Sequence, residues 1–183
     1  RYPAAFMRQA QNAFLMRYHS EVIVREFSKI AQSRPEGFDF RLYVDGDFSN
    51  GADVATWMET LKAFPNVRAY GYSKSFAALL GYGAFNTWPN NYMLNISSGH
   101  NASPEMLKYV KELPIVRGEF IAVSIGKKVK STDHGKPETN RALREAFKVK
   151  AFTCPGTCGT CTGKGHACGM QALKNIPIII AMH

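Results

Sequence analysis

The chain has 183 residues, of which 45% are hydrophobic and 20% are charged. This balance excludes a disordered chain, and the length fits a single domain, residues 1–183, with one core. The late apolar run at 176–182 is much shorter than the roughly 18 residues of a membrane-spanning helix. We therefore expect a cytoplasmic protein without a membrane partner, since no secretion signal precedes the first helix.

The chain is basic, with 23 Lys and Arg residues against 14 Asp and Glu residues, a net charge of +9. Such a surplus attracts polyanions, so the expected partner is nucleic acid or a nucleotide. The alternative is a surplus that serves solubility, because the longest run of basic residues is Lys127-Lys128. Sequence alone does not show whether the charge is concentrated on one face, nor the oligomeric state.

Hydrophobic periodicity predicts amphipathic helices at the start of the chain and then alternating strands and helices. Residues 1–33 should form one long or two shorter helices, and residues 38–152 a series of strand-helix repeats. A cysteine-rich metal loop at 153–170 and a final strand at 176–183 follow. The predicted strands are 38–44, 67–72, 92–96, 120–125, 149–152 and 177–181, and the predicted helices between them are 54–64, 74–80, 103–113 and 137–147.

This alternation predicts an α/β fold with a mostly parallel sheet of about six strands and flanking helices. Six strands are too few for a closed eight-stranded barrel, so the sheet should be open or an incomplete barrel. In such folds ligands gather at the carboxyl ends of the strands. The candidate substrate-binding residues at these ends are Tyr72, Ser73, Asn95, Ser97 and Ser98.

Two acidic residues and a lysine at strand ends are the catalytic candidates. Asp45 and Asp47 flank Gly46, where they are suited to bind a cation or to act as acid and base. The alternative is a turn whose aspartates cap backbone amides. Lys74 is placed to meet a phosphate or a carboxylate, or to be solvated.

All four cysteines, Cys154, Cys158, Cys161 and Cys168, lie within fifteen residues near the end of the chain. Glycine and threonine spacers let such a loop curl its amides toward sulfur, so we expect one metal site. His166 lies inside the loop as a further ligand or as a donor to one. The alternative is a set of buried or disulfide-paired cysteines, which a chain without a secretion signal does not favour.

The spacing CxxxCxxC followed by CxxxxxxC favours an iron–sulfur cluster such as 4Fe-4S over zinc, which commonly uses paired CxxC knuckles. Zinc held by Cys158, Cys161, His166 and Cys168 is the alternative cofactor. CxxxCxxC is also the spacing of radical S-adenosylmethionine enzymes. In that family the motif follows the first strand, whereas here it follows several helices, and Cys168 would close the open iron.

Three further segments, together with the cysteines, carry a family resemblance. They read VDGDFS at 44–49, YGYSK at 70–74 and WPNNYMLNIS at 88–97. In this order they resemble the gene product eighty-eight family of phages and plasmids. The resemblance implies a metal-binding α/β protein and a further cysteine group before the first helix, just ahead of Arg1. It implies Ser-Gly-Asp in the first turn, where this chain has Asp-Gly-Asp, and it carries no reaction.

Overall fold

The computed structural model describes residues 3–44, 46–159, 161–162 and 165–182. Six strands form one sheet: β1 (Asp39–Leu42), β2 (Arg68–Ser73), β3 (Tyr92–Ser97), β4 (Val116–Val123), β5 (Phe152–Thr153) and β6 (Ile178–Ala181). Six helices accompany them: α1 (Pro3–Tyr18), α2 (Ser20–Gln32), α3 (Gly51–Ala63), α4 (Phe76–Gly83), α5 (Pro104–Lys111) and α6 (Pro137–Ala146).

The strand order is β1-β2-β3-β4-β6-β5, and every pairing is parallel. The sheet curls into a half-barrel, and the predicted α/β class is confirmed. Of the two predicted forms, an open sheet and an incomplete barrel, the structure has the incomplete barrel. Parallel strands need crossover connections, and helices α3, α4 and α5 supply the first three. Among the described helices, none is both long and apolar enough to cross a membrane.

One face of the sheet packs against helices, and we call it the helix face. Successive strand residues point to opposite sides, so alternate residues of each strand form this face. Leu42 of β1, Leu94 and Ile96 of β3 and Val116 of β4 pack in one buried core with side chains of α2 to α5. Helix α6 extends the layer, because its Leu143 packs with Ile179 and Ala181 of β6.

The opposite face is covered by the residues after β5, and we call it the cysteine face. Tyr70 and Tyr72 of β2, Met93 of β3, Phe120 of β4 and Ile178 of β6 pack there with Cys154, Cys161 and Cys168. A short 3-10 helix, Ala167–Gly169, lies against β2 and β3. A parallel sheet normally has both faces covered. Here an irregular segment covers the second face where other α/β folds place helices.

The beginning of the chain forms two shorter helices, α1 and α2, rather than one long helix, and both forms were expected from the sequence. Helix α2 joins the core through Phe27, whose ring lies 5.0 Å from that of Phe40 and 5.7 Å from that of Trp57. Helix α1 buries only Met16 among its side chains and leaves Phe6 and Phe14 exposed. The N-terminal region is therefore anchored to the sheet through α2.

Three predicted strands differ by more than one residue from the observed ones, and of these β1 is simply shorter, Asp39–Leu42 rather than 38–44. Strand β4 begins at Val116 rather than at residue 120, because Arg117 and Gly118 interrupt the apolar pattern from which a strand is predicted. Strand β5 is Phe152–Thr153 rather than 149–152, since Val149 is exposed and only these two residues pair with β6.

Candidate metal centre

The cysteine segment, which we define as residues 154–168, starts at the end of strand β5. The backbone N–H of Cys154 donates to the carbonyl of Ile179 at 2.8 Å, which continues the β5–β6 pairing. From there the segment reaches β1, where Cys158 meets Arg41, and returns over β2, where Cys168 lies in the 3-10 helix. None of the four cysteines, all of which lie in the described ranges, is paired in a disulfide, and Cys168 alone of them is buried.

Each of the four sulfur atoms accepts one hydrogen bond. The Arg41 guanidinium donates to Cys158 Sγ at 3.2 Å and the Tyr72 hydroxyl donates to Cys168 Sγ at 2.7 Å. Backbone amides serve the other two: Gly156 N–H donates to Cys154 Sγ at 3.4 Å, and Ala167 N–H donates to Cys161 Sγ at 3.3 Å. A thiol sulfur is a weak acceptor and a thiolate a stronger one, so this arrangement suits four thiolates.

Arg41 connects the cysteine segment to strands β1 and β2. Its guanidinium also donates to the carbonyl of Val44 at 3.2 Å, and its Cζ lies 4.8 Å from the centre of the Tyr72 ring. The ring therefore touches a cation on one side while its hydroxyl touches a sulfur. Arg41 and Tyr72 together fix the positions of Cys158 and Cys168 relative to the sheet.

A second arginine is buried beneath the segment. Arg117 is 0% exposed, and its Nε donates to Asn95 Oδ1 at 2.6 Å. Asn95, equally buried, donates in turn to the carbonyls of Gly71 at 3.1 Å and Cys168 at 3.0 Å. Within the described part of the chain, no carboxylate pairs with Arg117. Burial lowers its pKa, while the nearby Cys168 and Tyr72 groups raise it.

Burial also governs the acid groups of the site. It raises the pKa of Cys154, and it raises the pKa of Cys168 to about 11, with the charges of neighbouring cysteines adding to both effects. Burial raises the pKa of Tyr70 to about 12, and raises that of Tyr72 as well. The Tyr72 hydroxyl therefore stays protonated and can donate a hydrogen bond to the sulfur of Cys168. Free of metal, the Cys168 thiol is protonated at neutral pH, and a bound cation would favour its thiolate.

The four sulfurs occupy one region of the cysteine face without meeting at one point. No group of three or more His, Cys, Asp or Glu side chains is close enough to hold a metal ion in the residues that the structure describes. The donor set nevertheless fits thiolate ligation, because every sulfur has a hydrogen-bond donor and two arginines lie nearby. The candidate ligands are therefore the four cysteines.

His166 lies beside this set and faces other groups. Its Nδ1 is 3.4 Å from the Tyr70 hydroxyl, its Nε2 is 4.0 Å from the Asp39 carboxylate, and its ring lies 5.2 Å from that of Tyr70. The side chain thus connects the cysteine segment to β1 and β2. In this arrangement His166 faces a phenol and a carboxylate.

The catalytic candidates form a different group at the carboxyl end of β2. The carboxylate of Asp47 accepts from Phe48 N–H at 2.8 Å, from the Ser73 hydroxyl at 2.6 Å and from Lys74 N–H at 2.6 Å. The ammonium of Lys74 donates to the carbonyl of Gly99 at 3.3 Å. These bonds tie the loops after β1, β2 and β3 together. Asp45 lies outside the described residues.

The five predicted substrate-binding residues lie in different surroundings. Tyr72 and Asn95 lie under the cysteine segment, and Asn95 has no exposed surface to offer a ligand. Ser73 is buried and bonded to Asp47. Ser98 accepts from Ala122 N–H at 3.0 Å, and Ser97 is partly buried at the end of β3. The structure therefore brings only Tyr72 and Asn95 to the cysteines.

Arg41 and Arg117 were not predicted as site residues. Both stand inside strands of a parallel sheet, where side chains are covered on each face and a charged residue needs a partner. An arginine within such a strand was the available signal. Their partners are not visible in a local pattern: Arg41 donates to Cys158, and Arg117 donates to Asn95 and to the carbonyls of Leu173 and Ile176.

Comparison with known proteins places the chain in a family. No curated protein and no solved structure matches it. A family model described as Gene product 88 matches residues 1–168. This range contains all four cysteines and every strand of the sheet except β6. The match confirms the resemblance found in the sequence. The chain is a member of the gene product 88 family.

Proposed function

We propose that Cys154, Cys158, Cys161 and Cys168 hold an iron–sulfur cluster against the cysteine face. The observation that carries this proposal is that each sulfur accepts a hydrogen bond, two from side chains and two from backbone amides. Such bonds to cysteine sulfur stabilise thiolates and set the reduction potential of a cluster.

The charges around the sulfurs support the same proposal. Arg41 touches Cys158, and the buried Arg117 is within electrostatic reach of Cys168, while neither arginine pairs with a carboxylate among the residues described. A buried cation needs a compensating negative charge. Four metal-bound thiolates would supply it, whereas neutral thiols would not.

The chain's own residues have defined tasks at such a centre. When bound, the cluster supplies one-electron transfer. Tyr72 and Arg41 hold the sulfurs of Cys168 and Cys158, and the apolar side chains of Phe120, Met93 and Ile178 keep water from the buried side.

The partner that we propose is a nucleic acid or a nucleotide, bound or acted upon. The net charge of +9 supports this part of the proposal, because counterion release favours polyanions over neutral ligands.

Two alternatives use the same cysteines. Zinc thiolates accept the same hydrogen bonds, and the protein would then be a zinc-stapled nucleic-acid-binding module without catalysis. A radical S-adenosylmethionine enzyme needs one iron without a cysteine ligand, whereas Cys168, which packs with Cys154 and Cys161 on the cysteine face, would supply a fourth ligand.

The deciding experiment is elemental and sulfide analysis of anaerobically purified protein. Iron with an equal amount of acid-labile sulfide supports the cluster, and zinc without sulfide supports the alternative. Protein free of iron and sulfide after anaerobic reconstitution would overturn the proposal. Cleavage of S-adenosylmethionine by reduced protein, retained in Cys168→Ala, would instead support the radical enzyme.

A further inference from the structure

The positive charge of the protein is concentrated in one segment, residues 127–150, which we call the basic segment. It contains eight basic and three acidic residues and so carries five of the nine net positive charges. All eight basic side chains are exposed: Lys127, Lys128, Lys130, Lys136, Arg141, Arg144, Lys148 and Lys150. Two of them, Arg141 and Arg144, lie in helix α6, and the other six precede or follow this helix in the chain.

Helix α6 carries Arg141 and Arg144 and is packed firmly against the sheet. Leu143 is 1% exposed and packs with Val129, Ile179 and Ala181, which anchors the helix to the sheet. Arg141 and Arg144, three residues apart, border a shallow groove along its outer side. Lys136 is paired with Asp133, whereas Arg141 and Arg144 have no ion pair within the described ranges. Two guanidinium groups are therefore available to a ligand.

We infer that the basic segment docks duplex DNA through its phosphate backbone. This inference rests on the proposed nucleic-acid partner and assigns it a surface. Exposed arginines on a surface helix are the groups that contact phosphates without reading sequence. The major groove of DNA admits a helix, so α6 can lie along it with Arg141 and Arg144 on the flanking phosphates, whereas the major groove of duplex RNA is too narrow for this.

Other polyanions fit the segment less well. Single strands are bound by stacking on aromatic rings, and the one aromatic residue of the segment, Phe147, packs inward beside Leu143. A membrane surface requires an apolar helix face that enters the lipid, but the apolar face of α6 is used against the sheet. Val149 is the only large apolar side chain of this segment that is exposed.

The basic segment also touches the cysteine segment. A Cβ at Gly156 would lie 2.3 Å from Cβ of His134, and one at Gly135 would lie 3.3 Å from Pro155. These close contacts place the DNA-docking surface beside the loop that carries Cys154. A bound duplex would therefore lie next to the proposed cluster.

The test measures the affinity for a labelled random duplex of about 30 base pairs as salt rises from about 50 to 200 mM. The test variant is Arg141→Gln/Arg144→Gln. The control variant, Arg8→Gln/Lys108→Gln, removes the same charge from exposed residues of α1 and α5. Iron and sulfide are measured in every sample, so that the cluster is judged separately.

We expect the test variant to reduce the salt slope, log K against log salt, by about 1.8 and to weaken binding at least about tenfold at 150 mM salt. The control variant should change affinity by less than about twofold. Equal losses of affinity in both variants would contradict the assignment of the basic segment as the docking surface, while the proposed nucleic-acid partner would still be supported. Absence of wild-type binding would overturn both.

Competitors identify the ligand. Unlabelled duplex RNA, single-stranded DNA and vesicles of anionic phospholipid should each displace the duplex poorly. If any of these competitors displaced the labelled duplex as effectively as unlabelled duplex DNA does, and if this displacement also depended on Arg141 and Arg144, the assignment of duplex DNA would be overturned.

Discussion

The Nε of Arg117 donates a hydrogen bond of 2.6 Å to Oδ1 of Asn95, and neither side chain has any exposed surface. The same guanidinium donates to the carbonyls of Leu173 at 2.8 Å and Ile176 at 3.1 Å. Asn95 donates to the carbonyl of Cys168. This pair therefore joins strands β3 and β4 to both the end of the cysteine segment and the chain that follows it.

Replacing Asn95 should destabilise the protein strongly. Asn95→Leu leaves the buried Arg117 Nε and the Cys168 carbonyl without partners, so we expect a loss of about 2–4 kcal/mol in the free energy of unfolding. Chemical denaturation measures it. The control Asn86→Ala removes one bond, from an exposed side chain to the Tyr82 carbonyl, and should cost less than about 1 kcal/mol. Similar losses in the two variants would contradict the role given to Asn95.

The hydroxyl of Tyr72 should tune the proposed cluster. Tyr72→Phe removes the bond to Cys168 Sγ but keeps the ring that Arg41 touches, so iron content should be retained. A hydrogen bond to sulfur stabilises the more negative, reduced cluster, so its loss should lower the reduction potential. The expected shift is about 20–60 mV, which is the free energy of one hydrogen bond converted for a one-electron couple.

A redox titration followed by electron paramagnetic resonance measures this shift. The control is Tyr70→Phe, because the Tyr70 hydroxyl faces His166 rather than a sulfur. Its potential should stay close to that of the wild type. A shift in Tyr70→Phe as large as that in Tyr72→Phe would mean that general polarity, and not the bond to Cys168, sets the potential.

Much of the fold was predictable because its strands and helices have strong local patterns. Runs such as 67–72 and 92–96 are mostly apolar and bounded by turn residues. They correspond to β2 and β3, whose observed ends differ from the predicted ends by at most one residue. The clustering of the cysteines likewise marked the segment that covers the second face.

The contacts of that segment were not predictable. Arg41 lies 117 residues from Cys158, and Tyr72 lies 96 residues from Cys168, so no local pattern links them. Tyr72 and Asn95 were expected at the strand ends with Ser73. They instead lie beneath the segment, because alternate residues of a strand point to opposite faces and only the fold determines what covers each face.

The contact between Gly156 and His134 should be essential for the shape of the cysteine segment. Gly156 has a φ of +81°, and a Cβ there would meet His134 Cβ at 2.3 Å. Gly156→Ala should therefore lower stability by about 1–3 kcal/mol and reduce iron content. Thermal unfolding and iron analysis measure the two effects.

Gly159→Ala is the matched control, because a Cβ at Gly159 meets nothing within 4 Å and its φ is not in the left-handed region. It should behave as the wild type does. If both alanines lowered iron content alike, flexibility of the segment rather than its packing on His134 would be the relevant property.

Cys158 offers the clearest single test of ligation, since it is exposed and its replacement disturbs little packing. Cys158→Ser should reduce bound iron to less than about half of the wild-type amount, because a serine oxygen is a poor ligand for iron in a cluster. Thr157→Ala, an exposed neighbour in the same segment, should retain full iron. Full iron in both variants would remove Cys158 from the ligand set.

The most direct measurement of the central claim is X-ray absorption at the iron edge of anaerobically reconstituted protein. Four cysteine ligands of one cluster predict iron surrounded by sulfur alone, with a second shell of iron. Iron surrounded by oxygen or nitrogen, without an iron neighbour, would contradict the claim that these four sulfurs share an inorganic centre.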